Sequence, residues 1–348
     1  EKRLRLEQKR GISSDYYPIP ADKMRSDRIY LRLPNWLGDI VMVTPLIRAI
    51  QKARPDARIT LVYRPQFATL IDLLQIPCDA HLPADSRTPD GKQLLKDSYH
   101  DYPDTAILFT NSFRGDKEMH TTRADQRFGI ARPKKPRPLL THSWEIPEDL
   151  DEASIHQSEL WNRFLQHFGL VEEPDFSPVP SSASDSNPKS IALFCGSENS
   201  PEKRWPAERW VELCQKLIQI DPESTIELFG TSGDREITQR ILKEVATDRL
   251  VDMAGQTNLA ELGERIRSCS LAIGNDSGGM HLANALGCPG IVLFGPTNPV
   301  RTRPIFDSPL EIVQATDATP TGGGTMEAIS ADEVIAAYRR ISGGPSID

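Results

Sequence analysis

Strand-length apolar runs alternate with helix-period segments along this chain, stop at a Pro/Ser/Asp-rich stretch, and then start again. That rhythm dictates parallel sheets covered by helices, because each strand must cross back through a helix to reach its neighbour. Strands are expected at residues 29–33, 58–63 and 105–110, and again at 190–194, 225–229, 250–253, 271–273 and 291–294. Helices fall between them, including 207–220 and 259–269, with a last one at 331–341. The stretch 171–188 (VEEPDFSPVPSSASDSNP) has the composition of an interdomain linker. At 348 residues the chain has length for about two domains of roughly 150 residues. The division expected is a charged leader (1–28), an α/β domain (29–170), the linker (171–188), a second α/β domain (189–325) and a C-terminal helical segment (326–348). Two such halves place the natural ligand site in a cleft between them.

Charge and cysteine content narrow the partners. The net charge of −8 argues against a dedicated nucleic-acid binder. The leader carries eight basic and five acidic residues, net +3, which leaves −11 for the rest. It reads either as a solvated, partly helical extension or as a contact for anionic lipid, and it lacks the apolar core of a signal peptide. The five cysteines (78, 195, 214, 269 and 288) show no C-x-x-C pair and no metal spacing, as expected for reduced, mostly buried thiols in a cytosolic protein. The longest stretch free of Lys, Arg, Asp and Glu, 277–300, is broken by Gly, Asn and Pro and reads as a helix and a strand, not a membrane span.

Three constellations each follow an expected strand, where open α/β sheets bind ligands. In Asn35-Trp36-Leu37-Gly38-Asp39, a glycine permits a tight turn and Asp39 projects from the strand end, where it can take a proton from a hydroxyl or simply open a helix. Pro45 leaves two helix starts open: at Asp39 with a kink, or at Pro45 with Thr44 as the cap. In Phe194-Cys195-Gly196-Ser197 a Gly/Ser loop offers backbone N–H groups to phosphate, with Lys203 and Arg204 as neutralising cations or as a solvated pair. Trp205 reads as packing. The sharpest is Gly274-Asn275-Asp276-Ser277-Gly278-Gly279-Met280-His281, where the N–H groups of Ser277, Gly278 and Gly279 at a helix start suit a diphosphate. His281 lies one turn further on and faces either that ligand or the core. There is no G-x-G-x-x-G after the first strand, no Walker A loop, no H-E-x-x-H and no G-x-S-x-G. A nicotinamide oxidoreductase is therefore disfavoured, and a metal-independent reaction on a nucleotide-linked substrate fits best.

Together these motifs resemble glycosyltransferase family 9, the ADP-heptose:lipopolysaccharide heptosyltransferases. The likeness runs from about residue 28 to 341 and includes Leu108-Phe109-Thr110-Asn111-Ser112-Phe113-Arg114, Lys203-x-Trp205-Pro206, Leu228-Phe229-Gly230, Ala254-Gly255-Gln256-Thr257 and Leu293-Phe294-Gly295-Pro296. The resemblance implies a GT-B fold of two Rossmann-like domains facing a central cleft, with the last helix crossing back to the N-terminal domain. It implies an inverting transferase of lipopolysaccharide-core biosynthesis with Asp39 as general base, no required cofactor, and an ADP-sugar donor. Gly196, Ser197, Lys203, Asp276, Ser277, Gly278, Gly279 and His281 would then hold the donor, and Asn111, Ser112 and Arg114 the acceptor side. The acceptor implied is an anionic glycolipid, met by a cytoplasmic enzyme in peripheral contact with the inner face of the bacterial inner membrane. The same fold acting on another nucleotide sugar, or a non-catalytic nucleotide-sugar binder, are the alternatives.

Three departures set the chain apart from the family. The one that bears on the acceptor is that Arg114 is followed by Gly115-Asp116-Lys117-Glu118, where many relatives have small apolar residues. Where relatives place a ribose-binding Glu after Gly230, this chain has Thr231-Ser232-Gly233-Asp234, leaving Asp234 or Glu236 as candidates. Residues 316–325 read as a flexible loop in place of the relatives' cysteines. The run Arg132-Pro133-Lys134-Lys135-Pro136-Arg137, with Arg123 and Arg127, is either a face for an anionic acceptor or a solvated loop.

Overall fold

The computed structural model of the protein describes residues 27–170, 172–180, 190–197 and 200–343. The leader through residue 26 and much of the expected linker (171 and 181–189) lie outside the described residues. Two compact units divide the chain, the first comprising the described parts of Glu1–Asp72, Ile76–Asp151 and Ser158–Asp175. The second takes Leu73–Gln75, Glu152–Gln157 and Phe176–Asp348, again in their described parts.

The first unit contains β1 (Arg28–Arg32), α1 (Leu37–Ala53), β2 (Arg58–Tyr63), α2 (Ala68–Leu73), β3 (Ala80–Pro83), α3 (Pro89–Asp97) and β4 (Thr105–Leu108). It continues with α4 (Phe113–Thr121), β5 (Gln126–Ala131), β6 (His142–Glu145) and α5 (Gln157–His167). Its six strands are parallel in the order β3-β2-β1-β4-β5-β6. The central strands are buried on both faces, which explains their near-continuous apolar runs. The chain builds outward from β1 to β3 and returns to β4 on the other side. The β1/β4 seam, with Arg32 level with Leu108, is thus the topological switch point.

Helix α1 begins at Leu37, two residues before the first expected start, and carries Pro45 inside it, so the alternative start at Pro45 with Thr44 as cap is excluded. Trp36 is extended (φ −123°, ψ 145°) and directs the chain into the helix two residues before Asp39. The missing N–H at Pro45 costs about 3 kcal/mol. Four fully buried residues, Ile40, Val43, Ile47 and Ile50, offset it at about 1.5–3 kcal/mol each.

The second unit contains β7 (Ser190–Phe194), α6 (Ala207–Ile220), β8 (Thr225–Phe229), α7 (Arg235–Val245), β9 (Leu250–Asp252), α8 (Leu259–Arg267) and β10 (Cys269–Asn275). Then follow α9 (Gly278–Ala285), β11 (Gly290–Phe294), the single-turn α10 (Pro299–Thr302), β12 (Leu310–Gln314) and α11 (Ala331–Ile341). The parallel order β12-β11-β10-β7-β8-β9 puts the switch point between β7 and β10.

Strands β3, β5, β6 and β12 were not among those expected, and three further features depart from the sequence expectations. Helix α11 belongs to the second unit and does not cross back as anticipated: Val334, Ile335 and Ala337 pack in that unit's core with Trp205, Leu213 and Leu217. A Ser330/Glu333 capping box starts it, and Tyr338 donates to Asp221 at 2.9 Å. Residues 152–157, assigned by sequence to the first domain, group with the second unit. Arg301 donates to the Glu152 carbonyl (2.9 Å) and to Gln157 Oε1 (2.6 Å), and Asn298 donates to the Ala153 carbonyl (2.7 Å). The loop 316–325 is tied down rather than loose. Gly323 and Gly324 donate to the carbonyls of Pro296 and Gly295 (both 3.1 Å), and Asp317 accepts from the Thr325 N–H (3.0 Å). Among the described residues no helix is long and apolar enough to cross a membrane.

Candidate active site

At the β7/β10 switch point one buried amide joins three segments. Asn275, at the end of β10, donates from Nδ2 to the carbonyls of Cys195 (2.8 Å) and Gly196 (3.3 Å) and accepts the Trp205 N–H on Oδ1 (3.2 Å). Trp205 is itself core: it is 1% exposed, packs edge-on against Trp210, and donates from Nε1 to the Ile329 carbonyl (3.0 Å). This anchoring delivers Lys203, whose Nζ meets Asp276 Oδ2 at 2.8 Å. Asp276 is 5% exposed and Lys203 24%, so the ammonium stands at the rim with its carboxylate behind it.

Arg204 turns elsewhere, donating to the Ser197 carbonyl (3.1 Å) with Asp234 3.8 Å away. Beside the Lys203 pair α9 begins, and Ser277 makes no side-chain cap. The N–H groups of Gly278 and Gly279 precede the first intrahelical bonds, which Met280 and His281 make to the Ser277 carbonyl (3.2 and 3.4 Å), and the helix dipole favours an anion there.

The glycines here also answer to packing. A Cβ on Gly279 would lie 2.4 Å from the Phe194 ring, and one on Gly196 2.2 Å from the Asp234 carboxylate. Asp234 is buried and accepts from Thr231 N (2.8 Å) and Oγ1 (2.9 Å). It therefore builds its own loop rather than standing ready for a ribose, while Glu236 is exposed on α7.

His281 is 5% exposed with Nδ1 unpartnered. Burial pushes its pKa down to about 4, with Asp276 pulling upward and Lys203 adding to the fall. His156 in the 152–157 segment is likewise held at about 4, chiefly by burial, with its Nε2 2.9 Å from the Arg303 carbonyl. Both imidazoles are neutral in the fold near pH 7. The unfolded chain, with histidine near 6.5, binds the extra protons below that pH. Stability is therefore full above pH 6.5 and declines as pH falls toward 4, by about 2 kcal/mol per imidazole at pH 5. Urea unfolding at pH 7.5 and 5.0 should show this loss, and His156→Gln should remove about half of it.

The first unit's switch point carries the remaining predicted residues. Asp39 is half-buried in the first turn of α1. Beyond β4, Ser112 is the α4 N-cap, accepting the Gly115 N–H on Oγ (3.2 Å). Asn111 and Arg114 are exposed. Trp36 and Phe113, at the starts of α1 and α4, are 53% and 64% exposed.

Beneath them lie two arginine–carboxylate pairs that sequence reasoning missed. Arg32 (2% exposed) donates to Glu118 at 2.6 Å, and Arg137 (8% exposed) pairs with buried Asp116. Arg137 also donates to the carbonyls of Ile130 (2.8 Å) and Thr110 (2.9 Å). Arg127 donates to the Leu139 carbonyl (2.7 Å), and burial lowers its pKa. The run expected either to face an anion or to be solvated is thus partly a structural brace, with Lys134 and Lys135 its exposed members. The available signal was the arginine inside the apolar run IYLRL, since a buried charge demands a partner.

The family model for glycosyltransferase family 9 (heptosyltransferase) matches residues 108–325. The chain belongs to this family. Lipopolysaccharide heptosyltransferase 2 of Escherichia coli is 29% identical over 303 residues, covering 78% of this chain and 84% of that protein. Lipooligosaccharide heptosyltransferase 2 of Haemophilus influenzae is 39% identical over 208 residues, 59% of this chain and 55% of that one. The structure of E. coli ADP-heptose lipopolysaccharide heptosyltransferase II superposes with a TM-score of 0.71 at 22% identity, covering 90% of this chain and 98% of that one. The protein is a glycosyltransferase of the GT-B fold class, built from two parallel six-stranded sheets.

Proposed function

We propose that this family 9 glycosyltransferase moves a heptosyl unit from ADP-heptose, or a closely similar ADP-sugar, to an acidic saccharide of the lipopolysaccharide core. The observation that carries this reading is the Lys203–Asp276 pair beside the N-terminus of α9 at the β7/β10 switch point. A cation backed by a carboxylate, next to the N–H groups of a helix start, is the chemistry a leaving diphosphate needs. The names of the heptosyltransferase 2 relatives support the sugar and the glycan.

In this reading the acceptor hydroxyl gives its proton to the Asp39 carboxylate as its oxygen bonds to the anomeric carbon. The bond to the diphosphate breaks in the same displacement, inverting the centre and releasing ADP. Gly196, Ser197 and Ser277–Gly279 line the donor side with His281 packed behind, and Asn111, Ser112 and Arg114 the acceptor side. Positive charge for the departing ADP comes from Lys203 and the helix start, so the reaction requires no cofactor. A glycolipid acceptor places the enzyme in peripheral contact with the cytoplasmic face of the membrane, and the net charge of −8 disfavours nucleic acid as a partner.

Titration with ADP, UDP and NADH, followed by ADP release from ADP-heptose with and without truncated lipopolysaccharide, tests this reading. Preferred ADP binding and acceptor-dependent release are expected. UDP preference would move the reading to another nucleotide sugar, ADP binding without turnover to a non-catalytic binder, and NADH binding alone would overturn it.

A further inference from the structure

The two buried arginines of the first unit have a common second partner type. Arg32, beyond its bond to Glu118, donates from Nη2 to Asn35 Oδ1 at 3.0 Å. Arg137, beyond its pair with Asp116, donates from Nη1 to Asn111 Oδ1 at 3.4 Å. Both carboxylates come from α4, so one helix supplies the counter-charges for both guanidiniums. The register places Arg32 level with Leu108, and each asparagine lies three residues beyond those positions, on adjacent loops at the same sheet edge.

A guanidinium only donates, so each asparagine must turn its oxygen toward the arginine and its Nδ2 away from it. Asn35 is half-buried and Asn111 exposed, and exposed Trp36 and Phe113 follow them directly or nearly so. One amide held at 3.0 Å (Asn35) and one held more loosely at 3.4 Å (Asn111), each followed closely in sequence by an exposed aromatic side chain, are the few placed polar groups that a saccharide site requires.

We infer that Asn35 and Asn111 are specificity-determining residues, presenting paired N–H donors to an acidic group, a carboxylate or phosphate, of the acceptor saccharide. The inference rests on the acceptor-side reading above and adds a chemical identity to what that side recognises. Exposed Arg114, in the first turn of α4, adds positive charge to the same edge. Arg32 and Arg137 act as positioning residues: they touch the asparagines rather than the substrate.

Asn35→Asp and Asn111→Asp keep an oxygen against each arginine but replace the outward donor with a second acceptor. Each should raise the KM for O-deacylated, inner-core-truncated lipopolysaccharide by roughly 10- to 100-fold, the worth of a hydrogen bond to a charged group. KM should rise by more than kcat falls, while ADP affinity and thermal unfolding stay at wild-type values. If an aspartate variant does not fold, the alanine variant at that position removes the donor without adding charge and gives the same KM test. Repeating the assay on dephosphorylated acceptor separates the sources: a penalty that persists identifies a carboxylate, and one that disappears identifies a phosphate. Unchanged acceptor KM in both variants, with wild-type transfer intact, overturns this inference alone. Absence of acceptor-dependent ADP release from the wild type overturns the proposed function and this inference with it.

Discussion

Asp39→Asn should lower turnover by roughly 100- to 10,000-fold, the range lost when a positioned general base is removed. ADP affinity should stay within about twofold, because the Lys203–Asp276 pair and the α9 start lie in the other unit. The substitution is close to isosteric at a half-buried position in the first turn of α1, so a fold defect is not the expected cause of lost activity. Equal circular dichroism and unfolding midpoints for the two proteins would establish that. The pH dependence gives a second readout. Wild-type kcat/KM should fall on the acid side as the base takes up a proton, and the residual activity of the asparagine variant should lack that limb. Turnover within about threefold of wild type would remove Asp39 from the role of base.

The central strands and the loops that follow them were legible because they depend on patterns within a few residues. The short edge strands β3, β6 and β12, the strand β5 and the strand order that sets the switch points were not. The run IYLRL followed by a glycine turn, and LAIGN followed by small residues, each announce a parallel strand entering a helix at a ligand-binding edge. What could not be read depends on pairings far apart in sequence. Nothing near Arg137 indicates that Asp116, 21 positions earlier, will take its charge inside the fold. A cluster of basic letters therefore looked like a surface. The destination of α11 was misjudged for a similar reason. Its amphipathic pattern requires an apolar partner, but only the fold shows that Trp205, Leu213 and Leu217 provide one inside the second unit. At Pro45 the local rules left two helix starts open, and burial of the flanking isoleucines and valines, which outweighs one lost hydrogen bond, decides for the one with the proline inside.

Breaking the Arg32–Glu118 pair is expected to give the largest stability effect in the first unit. Both side chains are nearly excluded from water, at 2% and 3% exposure. Arg32→Met would leave Glu118 with the Ser86 hydroxyl and the more distant charges of Arg64 and Arg87, and Glu118→Leu would leave the guanidinium without its counter-charge. Each should cost about 3–5 kcal/mol in urea unfolding, since the survivor is a buried charge without its paired counter-ion. The double variant should recover most of that loss, because two apolar side chains carry no desolvation penalty. An additive double loss would mean that packing, not charge, dominates the site. Acceptor recognition should not recover with stability. The double variant has no donor to hold Asn35 Oδ1, now made by Arg32 at 3.0 Å, so its amide is free to turn. A protein with restored stability and a raised acceptor KM would separate the two roles of Arg32. The salt bridge would then be present not for the stability of the unit, which an apolar pair supplies as well, but to fix the orientation of an asparagine at the sheet edge.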